Sequence, residues 1–354
     1  MCSVFFRWLL RCFIVLVGCA FVTVWLGMRY LQSPMSIGPE PITHHLQAGG
    51  SLGSVVYGLS KNGSLKHPRL LMLYSRLTGR GQHVQAGEYV FEQGSTPLDL
   101  LIKLESGDVK HYQFALIEGW TINQALAALT AQGIIEQRLD TASQNWYQEI
   151  ISDTQYKSPE GLFFPDTYRV IRGETDRQLL TRAHKKLLAV LDDEWQKRDA
   201  GLPYKSAYEA LIMASLIEKE TGVAYERGEI AGVFVRRLNK RMRLQTDPAV
   251  MYGVGAGFDG NLRSKHLKDS NNRYNTYRHH GLPPTPIALV GREAIHAALH
   301  PKDGDTLYFV AKGDGSHYFS KTLDEHQRAV RQYQINQRRE DYRSSPPATS
   351  NNRQ

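Results

Sequence analysis

Residues 12–28, CFIVLVGCAFVTVWLGM, carry no charge over about 17 positions. Such a run has few options, because in an apolar medium its backbone satisfies itself only by closing into a helix. Its length is at the short end of what crosses a bilayer. Arg7 and Arg11 precede it and Arg29 follows, while Trp8, Trp25 and Tyr30 stand near its ends. Amphipathic aromatics favour the lipid–water boundary, and the leading arginines hold an N-terminus in the cytoplasm. The expectation is a cytoplasmic stretch over 1–11, an anchor over 12–31, and the rest on the far side. A cleaved signal peptide is one rival. Leu16-Val17-Gly18-Cys19 offers another, since it resembles a lipoprotein signal in which Cys19 is lipidated. The apolar run continues for about nine residues past Cys19, which favours an uncleaved single-pass anchor.

All three cysteines, Cys2, Cys12 and Cys19, fall within the first twenty residues. The body therefore holds neither a disulfide nor a nucleophilic thiol, which fits an oxidising compartment without proving export. With 354 residues the chain can fill two domains. A net charge of +8 suits an anionic surface: phospholipid, an anionic wall polymer or nucleic acid. No basic run interleaved with aromatics is present, so no nucleic-acid partner is expected.

Ser33–Pro41 holds three prolines and a glycine and reads as a short linker. Thr43–Gln47 is a plausible strand, and Ser51 caps a helix over Leu52–Leu59. Pro68 opens a second helix with Leu70, Leu71, Tyr74 and Leu77 on or near one stripe, closing before Gly79. Gly87–Phe91 is a strand, which completes a strand, helix, helix, strand order. Thr96-Pro97-Leu98-Asp99 starts a further helix by cap, proline and first-turn acid. Thr121–Gln124 is a capping box for a helix ending at Gly133. Arg177–Lys197 is a long amphipathic helix whose apolar set includes Leu187, Leu188 and Leu191. In Glu229–Lys240, Ile230, Val233, Phe234 and Leu238 face inward and Arg236, Arg237 and Lys240 outward. Leu307–Val310 and His317–Ser320 flank a Gly-Asp-Gly turn, and Thr322–Glu325 is another capping box. Beyond Asn336 the chain is polar and proline-containing, and disorder is expected over 337–354. Strands and helices mix without βαβ alternation, so the fold class is α+β.

No nucleophile elbow, Walker loop or dinucleotide fingerprint occurs. His296 and His300 stand at helical i, i+4 spacing, but the sequence offers no evident third ligand, so neither a metal nor another cofactor is expected. What remains is carboxylates with polar and aromatic company. Ser206–Gly222, SAYEALIMASLIEKETG, reads as a helix with Leu211, Ala214, Ser215 and Glu218 on one face, and Gly222 stands where it would stop. A carboxylate at the end of such a run can be partly desolvated, which raises its pKa as a general acid requires. Equally, it can be an ordinary last-turn glutamate whose neighbours Lys219 and Glu220 face water. Downstream come Leu244-Gln245-Thr246-Asp247-Pro248, a glycine-rich stretch over 253–260, Tyr274-Asn275-Thr276-Tyr277 and Gly281-Leu282-Pro283-Pro284. Amides, phenols and glycine–proline loops around one acid suit a sugar site, although each also reads as a turn or cap.

These segments resemble the endolytic murein transglycosylase family (MltG, YceG-like). The likeness rests on Leu216–Thr221, Ala231–Phe234 with Arg237-Leu238, Arg243–Pro248, Tyr274–Tyr277, Gly281–Pro284, Ala297–Pro301 and the Tyr308–His317 hairpin. Glu160–Tyr168 resembles the family's glycine–phenylalanine–proline–aspartate–threonine–tyrosine stretch, and the strand-helix-helix-strand unit its LysM-like subdomain. Departures are Asn271-Asn272-Arg273 before Tyr274, Gly228 after Glu226-Arg227, and Leu289-Val290 in place of a proline pair.

The resemblance implies a LysM-like βααβ subdomain over 40–110 and a YceG-like catalytic domain over 111–336. It implies a lytic transglycosylase cutting MurNAc–GlcNAc bonds within peptidoglycan strands, leaving 1,6-anhydro ends and limiting nascent strand length. Glu218 would be the catalytic acid and base, and Gln245, Asp247, Asn275 and Tyr277 the residues gripping glycan. Glu220, on another side of the turn, is read as structural. Peptidoglycan synthases (penicillin-binding proteins) would be partners, at the periplasmic side of the inner membrane. The alternatives are a hydrolytic muramidase using Asp247 as second carboxylate, and a membrane-anchored peptidoglycan-binding scaffold.

Overall fold

A computed structural model describes residues 2–153 and 156–336, so the tail expected to be disordered lies outside the described residues. The chain forms two compact units. The first runs to Gln113 and takes in Ile134–Glu136 and Arg169–Glu174; the second comprises the remaining described residues.

In the first unit, helix α1 (Cys2–Leu31) contains a segment long and apolar enough to cross a membrane, Phe6–Leu31, exposed through Leu26 and buried only at Leu31. Strand β1 (Ile42–Leu46) pairs antiparallel with β2 (Gly87–Phe91), Ile42 opposite Phe91 and Leu46 opposite Gly87. Between them lie α2 (Leu52–Lys61) and α3 (Pro68–Thr78), and α4 (Pro97–Ser106) follows. Reciprocal capping boxes start α2 at Ser51 and α4 at Thr96, so orphan amides at both helix starts are satisfied locally. Val55, Val56, Leu59, Leu71, Tyr89, Phe91, Leu100 and Leu104 close one core. On α3 the buried positions are Leu71 and Ser75, whereas Leu70 and Leu77 of the expected stripe are exposed.

The stretch expected as a linker is instead packed. Met35 and Ile37 are buried, Met35 N donates to Ser95 O and Ser36 N to Ser64 O, both at 2.8 Å. Apolar side chains at Leu31, Met35 and Ile37 outweigh the prolines, drawing the segment onto the core. The Tyr30 hydroxyl also donates to the carbonyls of Lys66 (2.6 Å) and His67 (3.2 Å).

Strand β3 (His111–Ala115) pairs with β4 (Thr167–Ile171) in a second two-stranded sheet. The second unit contains α5 (Ile122–Gln132), α6 (Asp176–Gln196), α7 (Ala207–Glu220), α8 (Arg227–Asn239), α9 (Asp247–Val254), α10 (Ser264–Lys268) and α11 (Arg292–Leu299). The hairpin β5 (Tyr308–Ala311) and β6 (His317–Ser320) and helix α12 (Leu323–Val330) complete it. Helix α7 is central: every residue from Ala210 to Ile217 is buried, and it packs against α6, α8, α9 and α11. Burial on all sides explains why this helix lacks a polar face.

Three local expectations are corrected. Helix α7 ends at Thr221, which caps it in extended conformation, so Gly222 is not a left-handed stop. Leu188 of the long helix is exposed. Arg237, expected outward, is buried: its Nε donates to Leu307 O at 2.6 Å and Nη1 to Leu244 O at 2.9 Å. A guanidinium can enter a core when its donors meet carbonyls, and this one clamps the hairpin to the segment before α9. His317 Nδ1 and Glu226 Oε2, 2.8 Å apart and buried, make a second tie from the hairpin.

Candidate active site

Ser206 caps α7 by accepting from Glu209 N, and the buried helix then carries Glu218 to its last turn. Ser215, one turn earlier, accepts from Ile287 N at 3.0 Å, which fixes the 287–291 segment alongside the helix. That segment meets the loop before α5: Gly119 N donates to Leu289 O (2.9 Å) and Leu289 N to Trp120 O (2.7 Å). Lys219 Nζ reaches Gly119 O at 3.1 Å. Three stretches far apart in sequence thus converge on one point.

At that point Glu218 Oε2 accepts from the Gly291 amide at 3.1 Å. Gly291 caps α11, so the carboxylate faces the positive end of a helix. A Cβ on Gly291 would overlap the carboxylate of Glu118, which places Glu118 beside the same cap. Burial pushes the Glu218 carboxyl up, the Glu118 charge adds to this, and the Gly291 amide, Arg227 and Lys219 oppose; the outcome is about 7. A half-buried acid with that value populates both its protonated and its ionised form near neutral pH, which is the requirement for general acid and base chemistry at one group.

A second raised carboxyl, Glu160, is only 1% exposed. Its Oε1 accepts from Ile122 N (3.0 Å) and its Oε2 from the Tyr252 hydroxyl (3.1 Å). Burial lifts it to about 7 against the bonds from Ile122 and Tyr252. Being enclosed, it holds the start of α5 and the Tyr252 ring. Tyr252 meets Tyr274 edge-on at 5.0 Å, and Tyr156 meets Tyr208 in the same manner at 5.1 Å. The Tyr274 hydroxyl bonds to Thr285 Oγ1 at 2.8 Å.

The two expected glycan-gripping motifs meet. Thr246 N donates to Thr276 Oγ1, and Thr276 Oγ1 donates back to Thr246 O. This lock sets the Tyr277 hydroxyl 2.7 Å from Asp247 Oδ1. Gln245 takes a left-handed backbone (φ 54°), and its Oε1 accepts from Arg237. Asn275 is placed differently, fully buried, with Nδ2 on the carbonyls of His266, Leu267 and Asp269 and Oδ1 accepting from Tyr277 N. Its polar atoms are occupied in shaping the loop.

Glu220 does point to another side of α7 from Glu218, but not into water. It is half-buried and lies against the 245–247 turn. Burial raises it to about 7, with the Thr246 side chain and Arg237 opposing and Asp247 adding. Asp247 therefore acts on Glu220, while the charges acting most strongly on Glu218 are those of Glu118, Arg227 and Lys219. Sequence reasoning missed Glu118 and Glu160. Each is an acid followed by a left-handed glycine, Gly119 (φ 76°) and Gly161 (φ 75°), a pattern marking a tight turn that presents the acid. Which turns meet which helix was not readable from spacing.

Residues 45–332 match the YceG-like family. A Bacillus subtilis (strain 168) protein named endolytic murein transglycosylase is 32% identical over 339 residues, covering 90% of this chain and 91% of its own length. A Streptococcus pneumoniae (serotype 2, strain D39) protein of the same name is 26% identical over 325 residues, covering 82% of this chain and 58% of its own. The crystal structure of a yceG-like protein from Listeria monocytogenes is similar in fold, with TM-score 0.51 and 29% identity, covering 82% of this chain and 99% of that one.

Proposed function

The chain belongs to the YceG-like family, and from that premise we propose that it is an endolytic murein transglycosylase with Glu218 as its acid and base. The observation that carries the reading is the Glu218 carboxyl itself, lifted to about 7 beside Glu118 and held by the Gly291 amide. Protonated Glu218 donates to the oxygen joining MurNAc C1 to GlcNAc, and that bond breaks as oxocarbenium character develops at C1. The resulting carboxylate takes the proton of the muramyl 6-hydroxyl, whose oxygen bonds to C1 and closes the 1,6-anhydro ring. The proton count returns to its start and no water is consumed, so a second catalytic carboxylate of the glycosidase kind is not required. The charge of Glu118 raises the Glu218 carboxyl and so favours its protonated form between turnovers.

Asp247 and Tyr277, with Gln245, are proposed to grip the glycan by hydrogen bonds, and Asn275 to shape the loop that presents Tyr277. The βααβ order of the first unit supports a LysM-like, glycan-holding subdomain over 40–110 ahead of a catalytic domain over 111–336. Helix α1 supports a single-pass anchor in the inner membrane with the catalytic part on the periplasmic side. Such a position would let the enzyme limit nascent strands beside peptidoglycan synthases. Digestion of purified peptidoglycan by wild type and Glu218→Gln, read by mass spectrometry, tests the reaction. Anhydro-muramic ends from the wild type alone are expected. Reducing-end muramic acid would establish a hydrolytic muramidase, and no cleavage with retained glycan binding a scaffold.

A further inference from the structure

We propose that His296 and His300, together with Glu194, form a binding site for a transition-metal dication of the zinc type at the C-terminal end of α11. The sequence shows only two imidazoles at i, i+4. The fold adds the third group: one donor atom from each of Glu194, His296 and His300 lies within 4.8 Å of the others. The two rings lie side by side, with centroids 4.4 Å apart and planes 32° from parallel.

Each ring is also oriented from behind. His296 Nδ1 lies 2.8 Å from Glu194 Oε2, and His300 Nδ1 2.9 Å from Asp199 Oδ1. At His300 the Asp199 carboxylate at Nδ1 holds the proton there and leaves the lone pair on Nε2, the tautomer and basicity that zinc-binding imidazoles use. Among the described residues neither Nε2 has a hydrogen-bond partner. Glu194 is anchored, being 4% exposed with Oε1 accepting from Arg292 Nε at 2.7 Å. Its Oε2, which faces His296 Nδ1 at 2.8 Å, is the donor it offers the ion, and Asp199 behind His300 is the orienting carboxylate that remains. The Arg292 guanidinium nearby pairs with Asp193 and Glu194, and Asp193 also holds Lys197, so two cations stand against the three carboxylates Asp193, Glu194 and Asp199. The His296 side chain is 56% exposed, which gives an ion and its water ligands a way in. Two imidazoles, a carboxylate and water make an ordinary tetrahedral zinc set.

The donors come from α6 and from both the body and the end of α11, so the ion would staple these helices together. Helix α11 is the one whose first amide, Gly291, meets Glu218 at the opposite end. The proposal does not depend on the reaction assigned above.

Full-length protein, purified in detergent without a polyhistidine tag, would be titrated calorimetrically with Zn2+, and with Co2+ in the visible spectrum. We expect saturable uptake of a single zinc ion per chain, a raised Tm, and the intense visible bands of tetrahedral Co2+. His296→Ala and His300→Ala should each weaken binding by about tenfold or more, and Asp199→Asn by about tenfold. The exposed His83 is a control, and His83→Ala should change nothing. Absence of saturable binding by the wild type, or equal binding by the His296→Ala/His300→Ala double variant, overturns the proposal.

Discussion

The Gly291 amide and the Glu218 carboxylate, 73 positions apart in sequence, meet at 3.1 Å, and the charge of Glu118 bears on the same carboxylate. One acid is thus stabilised as an anion by a helix start and destabilised as an anion by burial and a like charge. The balance near 7 is what a group serving as acid and then base needs.

Glu218→Gln keeps the shape of the side chain and its contact with Gly291 but has no proton to exchange. Strand cleavage should fall by about 10²–10⁴-fold. Circular dichroism and Tm should remain near wild type, and a variant with undiminished cleavage would remove Glu218 from the mechanism.

For wild type, kcat/KM should fall as pH rises through about 7, where Glu218 loses its proton. The Glu118 charge raises that value, so Glu118→Gln should move the alkaline limb to lower pH. Gly291→Ala should do the same by another route. Its backbone is ordinary (φ −74°), but the added methyl displaces Glu118. A limb that stays in place in both variants would deny Glu118 its role.

Tyr277 and Asn275 are neighbours in sequence with different expected consequences. Loss of the Tyr277 hydroxyl in Tyr277→Phe removes the bond to Asp247 and a proposed glycan contact, so KM should rise about fivefold with Tm little changed. Asn275→Ala leaves three part-buried carbonyls without their donor and should cost on the order of 2 kcal/mol in denaturant unfolding.

Glu160 makes a stability prediction. Its carboxyl stands at about 7 in the fold against an ordinary 4.5, so between those values the folded chain retains a proton that the unfolded chain has lost. This group's contribution is therefore present below pH 4.5, declines as pH rises, and is gone above about 7. Glu160→Gln should flatten that part of the Tm–pH curve and gain stability at pH 8. An unchanged slope would refute the assignment.

Much of this was legible because local rules and the fold agree. Thr121 and Thr322 each start a helix with the capping box read from sequence, Ser51 and Thr96 cap theirs as expected, and β2 runs over Gly87–Phe91 as expected. The failures share a cause. Arg237 looked solvent-facing because charge usually is, and only the carbonyls of residues 243–244 and 307 make its burial possible. Asn275 looked like a ligand-facing amide because its three carbonyl partners lie at the end of α10, a helix too short for periodicity to reveal. Glu118 could not be ranked above other loop acids until Leu289 brought its loop to Gly291.

The packing of Met35 and Ile37 has a consequence for reach. A protein moored by a floppy leash searches a sphere whose radius grows with the leash. Here the segment after α1 is drawn onto the core, and Tyr30 is tied to Lys66 and His67. The first unit has no slack to pay out. In the membrane setting proposed above, its height over the bilayer is fixed by rigid dimensions, so it would meet only those strands that lie in the layer nearest the membrane.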